Sequence, residues 1–198
     1  MTDNSLNLIN GIAQEYYDSR PNKEVAHKKL AVFFIASPGS GKTSLRLRIV
    51  EELQATYICN DEVRALLTER NLPAELLRPV VKAVWERLSL EAPNKFIVFD
   101  SNVSASFAQP NSYINLTKAK SYELFIVRFD IKPETLIERI GLRDGEQGSY
   151  LVEDMPNQTA RQNIAKEALR ADFILGENDS YDEVVELISA RLAGDPIV

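Results

Sequence analysis

The sequence predicts an α/β fold in which a five-stranded parallel sheet carries helices on both faces. Short, nearly all-apolar runs alternate with segments of helical periodicity along the chain. A strand that is apolar at every position is buried on both faces, as in parallel sheets covered by helices. A glycine-rich turn also joins the first apolar run to a helical segment, an arrangement typical of ligand sites at the carboxyl ends of strands. The length of 198 residues fits a single domain spanning 1–198.

Composition excludes several classes of protein. The chain is 44% hydrophobic and 26% charged, which are ordinary values for a soluble domain. Its net charge of −6 disfavours a main role in gripping duplex DNA or an anionic membrane. The single Cys59 cannot form an intramolecular disulfide, and the chain shows neither a signal peptide nor an apolar run of membrane-spanning length. We therefore expect a cytoplasmic protein without membrane contact, of undetermined oligomeric state.

Each predicted element follows from a local pattern. Helical spacing of apolar residues over 6–28 predicts a helix within an N-terminal extension, 1–29, interrupted at Pro21. The five apolar runs predict strands at 30–35, 56–59, 96–99, 124–127 and 173–175, the third ending at Asp100. Further helices are predicted after the glycine-rich turn, over 62–92 with breaks near Pro73 and Pro79, within 110–120, from Pro133, over 158–170, and after a capping box at Ser180 and Glu183.

The turn after the first strand is the most specific motif. Residues 36–43 match the Walker A pattern G-x-x-x-x-G-K-[ST], except that Ala36 replaces the first glycine. Gly39 and Gly41 permit backbone N–H groups to approach phosphates closely, and the following helix adds the positive end of its dipole. We expect Lys42 to bridge the β- and γ-phosphates of ATP and Thr43 to ligate Mg²⁺. The predicted nucleotide-binding residues are Ser37, Pro38, Gly39, Ser40, Gly41, Lys42, Thr43 and Ser44.

This motif places the predicted fold among the three-layer P-loop NTPases, but two of their functions do not fit. GTPases of the common type use Asn-Lys-x-Asp to bind guanine, whereas residues 94–97 lack the aspartate and enter a strand. Motor-type ATPases usually place a glutamate directly after the Walker B aspartate, whereas Ser101 follows Asp100 here. The sequence therefore argues against a GTPase and against a dedicated hydrolase.

Four segments resemble the small P-loop kinases, which include gluconate kinase, chloramphenicol phosphotransferase, zeta toxin and the 5′-hydroxyl polynucleotide kinases. They are the phosphate loop, the Asp-x-x-Arg at 61–64, the Asp-Ser-Asn at 100–102, and the predicted helix from Pro133 through Arg143. The resemblance covers about residues 30–190 and is strongest in the phosphate loop. It implies transfer of a phosphoryl group from ATP to a hydroxyl group, with Mg²⁺ as cofactor.

The same resemblance implies roles for two aspartates. Asp61 corresponds to the acid that accepts or orients the proton of the acceptor hydroxyl; its alternative role is a first-turn helix acid with Asn60 as N-cap. Asp100 corresponds to the Walker B acid that holds a Mg²⁺-bound water, and its alternative is a structural carboxylate beside Lys42. Because both follow predicted parallel strands, we expect them at the sheet edge that carries the phosphate loop.

Basic and polar residues complete the predicted site. Arg139 and Arg143 lie four residues apart and share one helix face, where they either stabilise charge on the transferring phosphoryl group or pair with Glu138 and Asp144. The polar stretch 144–156 predicts a mobile lid at about 140–160, and Arg161 beyond it is a further lid candidate. Acceptor contacts are expected from Arg64, Ser101 and Asn102, for which a surface ion pair and loop formation are the alternatives.

Two other functions remain open. A nucleotide-binding regulatory protein that transfers nothing would be expected to have an occluded acceptor cleft. A kinase acting on nucleic-acid ends would need a basic, aromatic-lined groove leading to Asp61. The segment 61–92 mixes basic and acidic residues and is no nucleic-acid track by itself, so a nucleic-acid acceptor is possible but not favoured. The sequence does not identify the acceptor.

The phosphate-loop assignment predicts that Lys42→Ala weakens ATP binding strongly while the protein stays folded. The reason is the loss of the charge expected to bridge the β- and γ-phosphates. Isothermal calorimetry with ATP measures the affinity, and circular dichroism checks the fold. An unchanged ATP affinity would contradict the assignment.

Overall fold

The computed structural model describes residues 3–20, 28–91, 95–102, 112–144 and 149–194. Pro21, the first two residues of the segment 110–120, and 145–148 of the predicted lid lie outside these ranges. Within them, no helix combines the length and the apolar character needed to cross a bilayer.

The predicted five-stranded parallel sheet is confirmed. Its strands are β1 (Leu30–Ile35), β2 (Thr56–Cys59), β3 (Phe96–Asn102), β4 (Glu123–Phe129) and β5 (Phe173–Leu175). They lie in the order β2-β3-β1-β4-β5, and every neighbouring pair is parallel. The central strand β1 is buried at all six positions, as its uninterrupted apolar sequence predicts.

Helices surround the sheet. They are α1 (Asp3–Asp18), α2 (Lys42–Leu53), α3 (Asn60–Glu69), α4 (Leu77–Leu90), α5 (Tyr113–Ala119), α6 (Pro133–Asp144), α7 (Ser149–Glu153), α8 (Met155–Ala168) and α9 (Tyr181–Ala193). Pro133 begins α6 as predicted, and Ser180 caps α9 by accepting a hydrogen bond of 3.1 Å from the amide of Asp182.

Two hydrophobic cores, one on each face of the sheet, make the three-layer arrangement. Phe33 of β1 packs with Ile12 of α1 and Trp85 of α4 on one face. Val32, its neighbour in β1, points to the other face and packs with residues of α2 and α9. Trp85 is 2% exposed and donates to the hydroxyl of Thr117 at 3.1 Å, so this indole belongs to the core with its polar atom satisfied.

The third strand is longer than predicted. The sequence ends this strand at Asp100, but β3 continues through Asn102. Asp100 is paired with Cys59 of β2, and Asn102 with Phe34 of β1 after a register shift. Backbone pairing on both sides therefore carries the strand past the end of its apolar run, and the alternative that Ser101 and Asn102 only form a loop is wrong.

The predicted break of the helix near Pro79 is wrong. Pro79 lies in the first turn of α4, where a missing N–H breaks no helical hydrogen bond, so the helix continues through it. Within the predicted lid stretch 144–156, residues 149–153 form α7 and α8 begins at Met155, and the mobility of this stretch stays a prediction. The predicted break near Pro73 is confirmed, because α3 ends at Glu69 and a single 3₁₀ turn, Ala74–Leu76, precedes α4.

The N-terminal helix is part of the core, and this predicts a large cost for truncating its buried face. Ile12 is fully buried in the cluster shared with α4, so Ile12→Ala should lower the free energy of unfolding by about 2–5 kcal/mol. Leu6→Ala on the same helix is the control: this side chain is 49% exposed, and we expect a change within about 0.5 kcal/mol. Urea unfolding measures both, and equal effects would mean that α1 is not docked.

Candidate active site

A cavity of about 1260 Å³ opens beside the phosphate loop at the carboxyl ends of the strands. The structure brings almost all of the predicted site residues together there. Its lining includes residues 37–44, Asn60, Asp61, Arg64, Asp100, Ser101, Arg139, Arg143 and Arg161. Asn102 ends β3, and its side chain lies outside the described part of the structure.

The backbone of the phosphate loop requires its two glycines. Gly39 and Gly41 have φ angles of 79° and 95°, a left-handed region that disfavours residues with a Cβ. A Cβ on Gly39 would lie 2.9 Å from the carbonyl oxygen of Leu136 in α6, and one on Gly41 would collide with the Tyr181 hydroxyl. Ala36, by contrast, is absent from the described residues with positive φ, which explains why alanine is tolerated at the first position of the motif.

A buried carboxylate lies beneath the loop. Asp100 is 2% exposed and forms an ion pair with Lys42 Nζ through Oδ1. Its Oδ2 lies 2.8 Å from Nε of Arg46, in a geometry that is an ion pair without a hydrogen bond. Two cations therefore compensate one carboxylate that would be costly to bury alone.

Sequence reasoning missed Arg46, which is itself only 5% exposed. Burial alone would lower the pKa of its guanidinium, but the neighbouring acids, Asp100 first among them, raise this pKa above its ordinary value. The signal in the sequence was its spacing, because residues 42 and 46 lie one helical turn apart and share a face of α2.

Asp61 is open to the cavity. Its side chain is 78% exposed in the first turn of α3 and forms an ion pair with Nη1 of Arg64, three residues on. The alternative of Asn60 as N-cap is wrong, since Asn60 is the first helical residue and Cys59 occupies the cap position. An ion pair between exposed side chains contributes little energy, so solvent or a ligand can compete for both partners.

Cations dominate the described lining. Five side chains, those of Lys42, Arg64, Arg139, Arg143 and Arg161, face two carboxylates, Asp61 and Asp100. The chain as a whole carries a net charge of −6, so positive charge is concentrated at this cavity. Such a local field favours anionic ligands.

Three further polar residues of the lining, Gln158, Gln162 and Tyr181, were not predicted, and two of them contact the phosphate loop. Tyr181, the first residue of α9, donates a hydrogen bond of 3.2 Å to the carbonyl oxygen of Gly41. Gln162 of α8 donates one of 2.7 Å to the hydroxyl of Ser37. Both partners are more than a hundred residues away along the chain, so no local pattern could have indicated these contacts.

Solved structures share this fold, although no protein-family model matches the chain and no curated protein matches it in sequence. A structure of the PezAT chromosomal toxin–antitoxin system of Streptococcus pneumoniae superposes with a TM-score of 0.58 at 17% identity, over 100% of this chain and 91% of that one. For shikimate kinase from Acinetobacter baumannii in complex with shikimate, the TM-score is 0.51 at 13% identity, over 88% and 98%.

A sugar kinase from Janibacter sp. gives a TM-score of 0.51 at 15% identity, over 84% of this chain and 95% of that one. The chain has the fold of the small P-loop kinases. At these identities the likeness is one of fold, and it agrees with the family that the motifs resemble.

The close contacts at Gly39 predict that Gly39→Ala weakens ATP binding at least about tenfold. The added Cβ meets backbone of α6 at 2.9 Å and strains a left-handed residue by roughly 1–2 kcal/mol, where 1.4 kcal/mol corresponds to a tenfold change. Gly11→Ala in α1 is the control, because a Cβ there meets nothing within 4 Å. Calorimetry with ATP measures both variants; comparable affinities would show that the loop tolerates the methyl group.

Proposed function

We propose that this protein is an ATP-dependent phosphotransferase that moves the γ-phosphate to a hydroxyl group of a small-molecule or nucleotide-type acceptor. The observation that carries this proposal is the content of one cavity. A phosphate loop, a buried carboxylate, an open carboxylate and arginines from three helices all line it. This is the set of groups that phosphoryl transfer needs for positioning and charge neutralisation.

The phosphate loop and Asp100 fit a nucleotide bound with Mg²⁺. The Thr43 hydroxyl and the Asp100 carboxylate are the hard oxygen donors that Mg²⁺ prefers, and Oδ2 of Asp100 has no hydrogen-bond donor of its own. Among the described residues, no group of three acidic, histidine or cysteine side chains could hold a metal alone. That agrees with an ion that arrives with the nucleotide and keeps water ligands. Bound there, Mg²⁺ would neutralise charge on the β- and γ-phosphates.

In this proposal, Lys42 has two partners, the Asp100 carboxylate and the phosphates of ATP. It pairs with Asp100 in the structure and would reach the β- and γ-phosphates when ATP is bound. Arg46 stays beside Asp100, so the carboxylate remains compensated while Lys42 contacts the nucleotide.

Asp61 is the proposed base. The acceptor oxygen attacks the γ-phosphorus, its proton passes to the Asp61 carboxylate, and ADP leaves with the bond to the γ-phosphate broken. In the structure, Arg64 forms an ion pair with Asp61. Arg64, Ser101 and Asn102 are proposed to contact the acceptor. The cavity volume of about 1260 Å³ exceeds the usual range of roughly 300–1,000 Å³ for a single ligand, which supports room for two substrates.

The arginines of the proposed lid, about 140–160 and its flanking helices, supply charge from the other side. Arg139 and Arg143 of α6 and Arg161 of α8 line the cavity. At least one of them is proposed to stabilise the three equatorial oxygens of the transferring group, as an arginine finger does.

Two features favour this reaction over the alternatives. The 78% exposure of Asp61 leaves an acceptor side open, where a purely regulatory nucleotide binder would be expected to occlude it. The described lining contains one aromatic side chain, Tyr181, which is fewer than a stacking track for nucleic acid needs. A γ-phosphate transfer screen over sugars, nucleosides, nucleotide-sugars, antibiotics and 5′-hydroxyl oligonucleotides tests the proposal and identifies the acceptor.

The division of labour between the two aspartates gives the sharpest prediction. Asp61→Asn should retain ATP·Mg²⁺ binding and lose transfer by about 10²–10⁴-fold, the usual contribution of a general base. Asp100→Asn should instead reduce the gain in ATP affinity that Mg²⁺ provides. Turnover with the acceptor from the screen is measured beside ATP affinity with and without Mg²⁺.

The matched control is Asp18→Asn, the same exchange at the end of α1, where the carboxylate accepts a hydrogen bond from Gln14 and is not part of the cavity lining. Thermal unfolding checks that each variant is folded, because Asp100→Asn leaves two buried cations less compensated. Near-normal transfer by folded Asp61→Asn would remove Asp61 from catalysis.

A further inference from the structure

A cluster of charged and aromatic side chains lies behind the candidate site. It consists of Glu62 of α3 and four residues around it, and we call it the Glu62 cluster: Glu62, Arg20, Tyr16, Tyr57 and Arg46. None of the five is among the described residues that line the cavity. The cluster joins α1, α2, β2 and α3. Its contacts therefore hold these elements in fixed positions relative to one another.

Arg20, just beyond the end of α1, supplies the charge on one side. Its guanidinium pairs with Oε2 of Glu62 and donates to the Tyr57 hydroxyl. The same group stacks between two rings, 3.8 Å from the centroid of Tyr16 and 4.2 Å from that of Tyr57. With 11% of its side chain exposed, Arg20 is held far more firmly than a surface arginine.

Tyr16 of α1 fastens the junction between β2 and α3. Its hydroxyl accepts a hydrogen bond of 2.9 Å from the amide of Cys59, the residue at the N-cap position of α3. The same hydroxyl donates to Oε2 of Glu62 at 3.3 Å. Burial raises the pKa of Tyr16, so the phenol stays protonated and keeps donating at neutral pH.

Arg46 connects the cluster to the buried acid of the site. Its Nη1 donates to Oε1 of Glu62 at 3.3 Å, while its Nε lies 2.8 Å from Oδ2 of Asp100. One guanidinium is therefore shared by Glu62 and Asp100. Through it, the same cluster adjoins both aspartates of the proposed mechanism: Asp100 by contact and Asp61 as the neighbour of Glu62 in the chain.

We propose that Arg20 and Glu62 are positioning residues, which fix the direction in which Asp61 points; this rests on the proposed transfer reaction. Asp61 and Glu62 are consecutive in a helix, so their side chains diverge by roughly 100° about its axis. With Glu62 clamped on the far side, the first turn of α3 cannot rotate, and Asp61 is directed into the cavity. Catalytic groups need placement within about 0.5 Å and 10–20°, which an unclamped helix end does not provide.

If Arg20 served only to dock α1 on the protein, losing any other ion pair between α1 and α3 should lower kcat equally. A second ion pair, between Glu15 of α1 and Arg70, joins the same helix to the opposite end of α3. It resembles the Arg20–Glu62 pair in type and in the elements that it connects, but it lies at the end remote from Asp61. Arg70→Ala is therefore the matched control for Arg20→Ala.

The test compares Arg20→Ala, Glu62→Gln, their double variant and Arg70→Ala in the full chain. Arg20→Ala and Glu62→Gln should each lower kcat about 10–100-fold, the usual effect of losing a supporting contact, with KM for ATP nearly unchanged. In the double variant, kcat should fall no further than in the more strongly affected single variant, because both changes break the same Arg20–Glu62 ion pair. Arg70→Ala should leave kcat unchanged.

Hydrogen exchange of the amides in 60–66 is measured on the same proteins without any substrate. It should accelerate in Arg20→Ala and stay as in the parent in Arg70→Ala. Equal exchange in the two variants overturns the positioning role, as does an equal loss of kcat. If the parent protein transfers phosphate to no acceptor, the proposed function fails, and the exchange comparison still decides whether Arg20 orders the start of α3.

Discussion

The arrangement of the site depends on one buried interaction, the pairing of the Asp100 carboxylate with Lys42 and Arg46. A carboxylate that is 2% exposed is tolerated in the middle of a sheet only if cations accompany it. Both cations come from the first two turns of α2, the helix that the phosphate loop begins. The pairing thus joins the loop and its helix to β3, and it places the proposed metal-binding carboxylate beside the proposed phosphate-binding lysine.

The described lining of the cavity is rich in positive charge, whereas the chain as a whole is acidic. An acidic chain with a net charge of −6 would repel a nucleotide if its charge were spread evenly. Instead, arginines on α3, α6 and α8 converge on the cavity that the loop opens. Two of these helices also touch the loop: the backbone of α6 packs against Gly39, and Gln162 of α8 holds the hydroxyl of Ser37. The elements that bring charge to the cavity are therefore also the ones that limit the shape of the loop.

The N-terminal helix α1 carries no motif, yet it packs in the core and contacts the start of α3. Ile12 and Tyr16 are buried in the core on the α4 side of the sheet, and Tyr16 also binds the amide at the start of α3. A helix that carries no recognisable chemistry in its sequence thus contacts the backbone at Cys59, two residues before Asp61. The apolar packing docks it, and the polar contacts at its end link it to α3, the helix that carries Asp61.

Local patterns in the sequence predicted the five strands, most of the helices and most residues of the candidate site. Five apolar runs specified five strands, because a strand buried on both faces needs apolar residues throughout, and the glycines and Lys42 specified the phosphate loop. Asp61, Asp100, Arg139 and Arg143 were implied by the resemblance to the small P-loop kinases, and all four line the cavity.

Only the tertiary structure decided the length of β3, the partners of Asp100 and the contacts of Tyr16, Arg20 and Tyr181. The carboxylate pairs with a lysine and an arginine far from it in sequence, and strand pairing extends β3 beyond its apolar run. These features depend on groups that the chain brings together from distant positions, and periodicity reports only on neighbours within a few residues. The sequence by itself therefore specified most of the groups that the candidate site contains, while folding added Gln162 and Tyr181 and specified which groups touch.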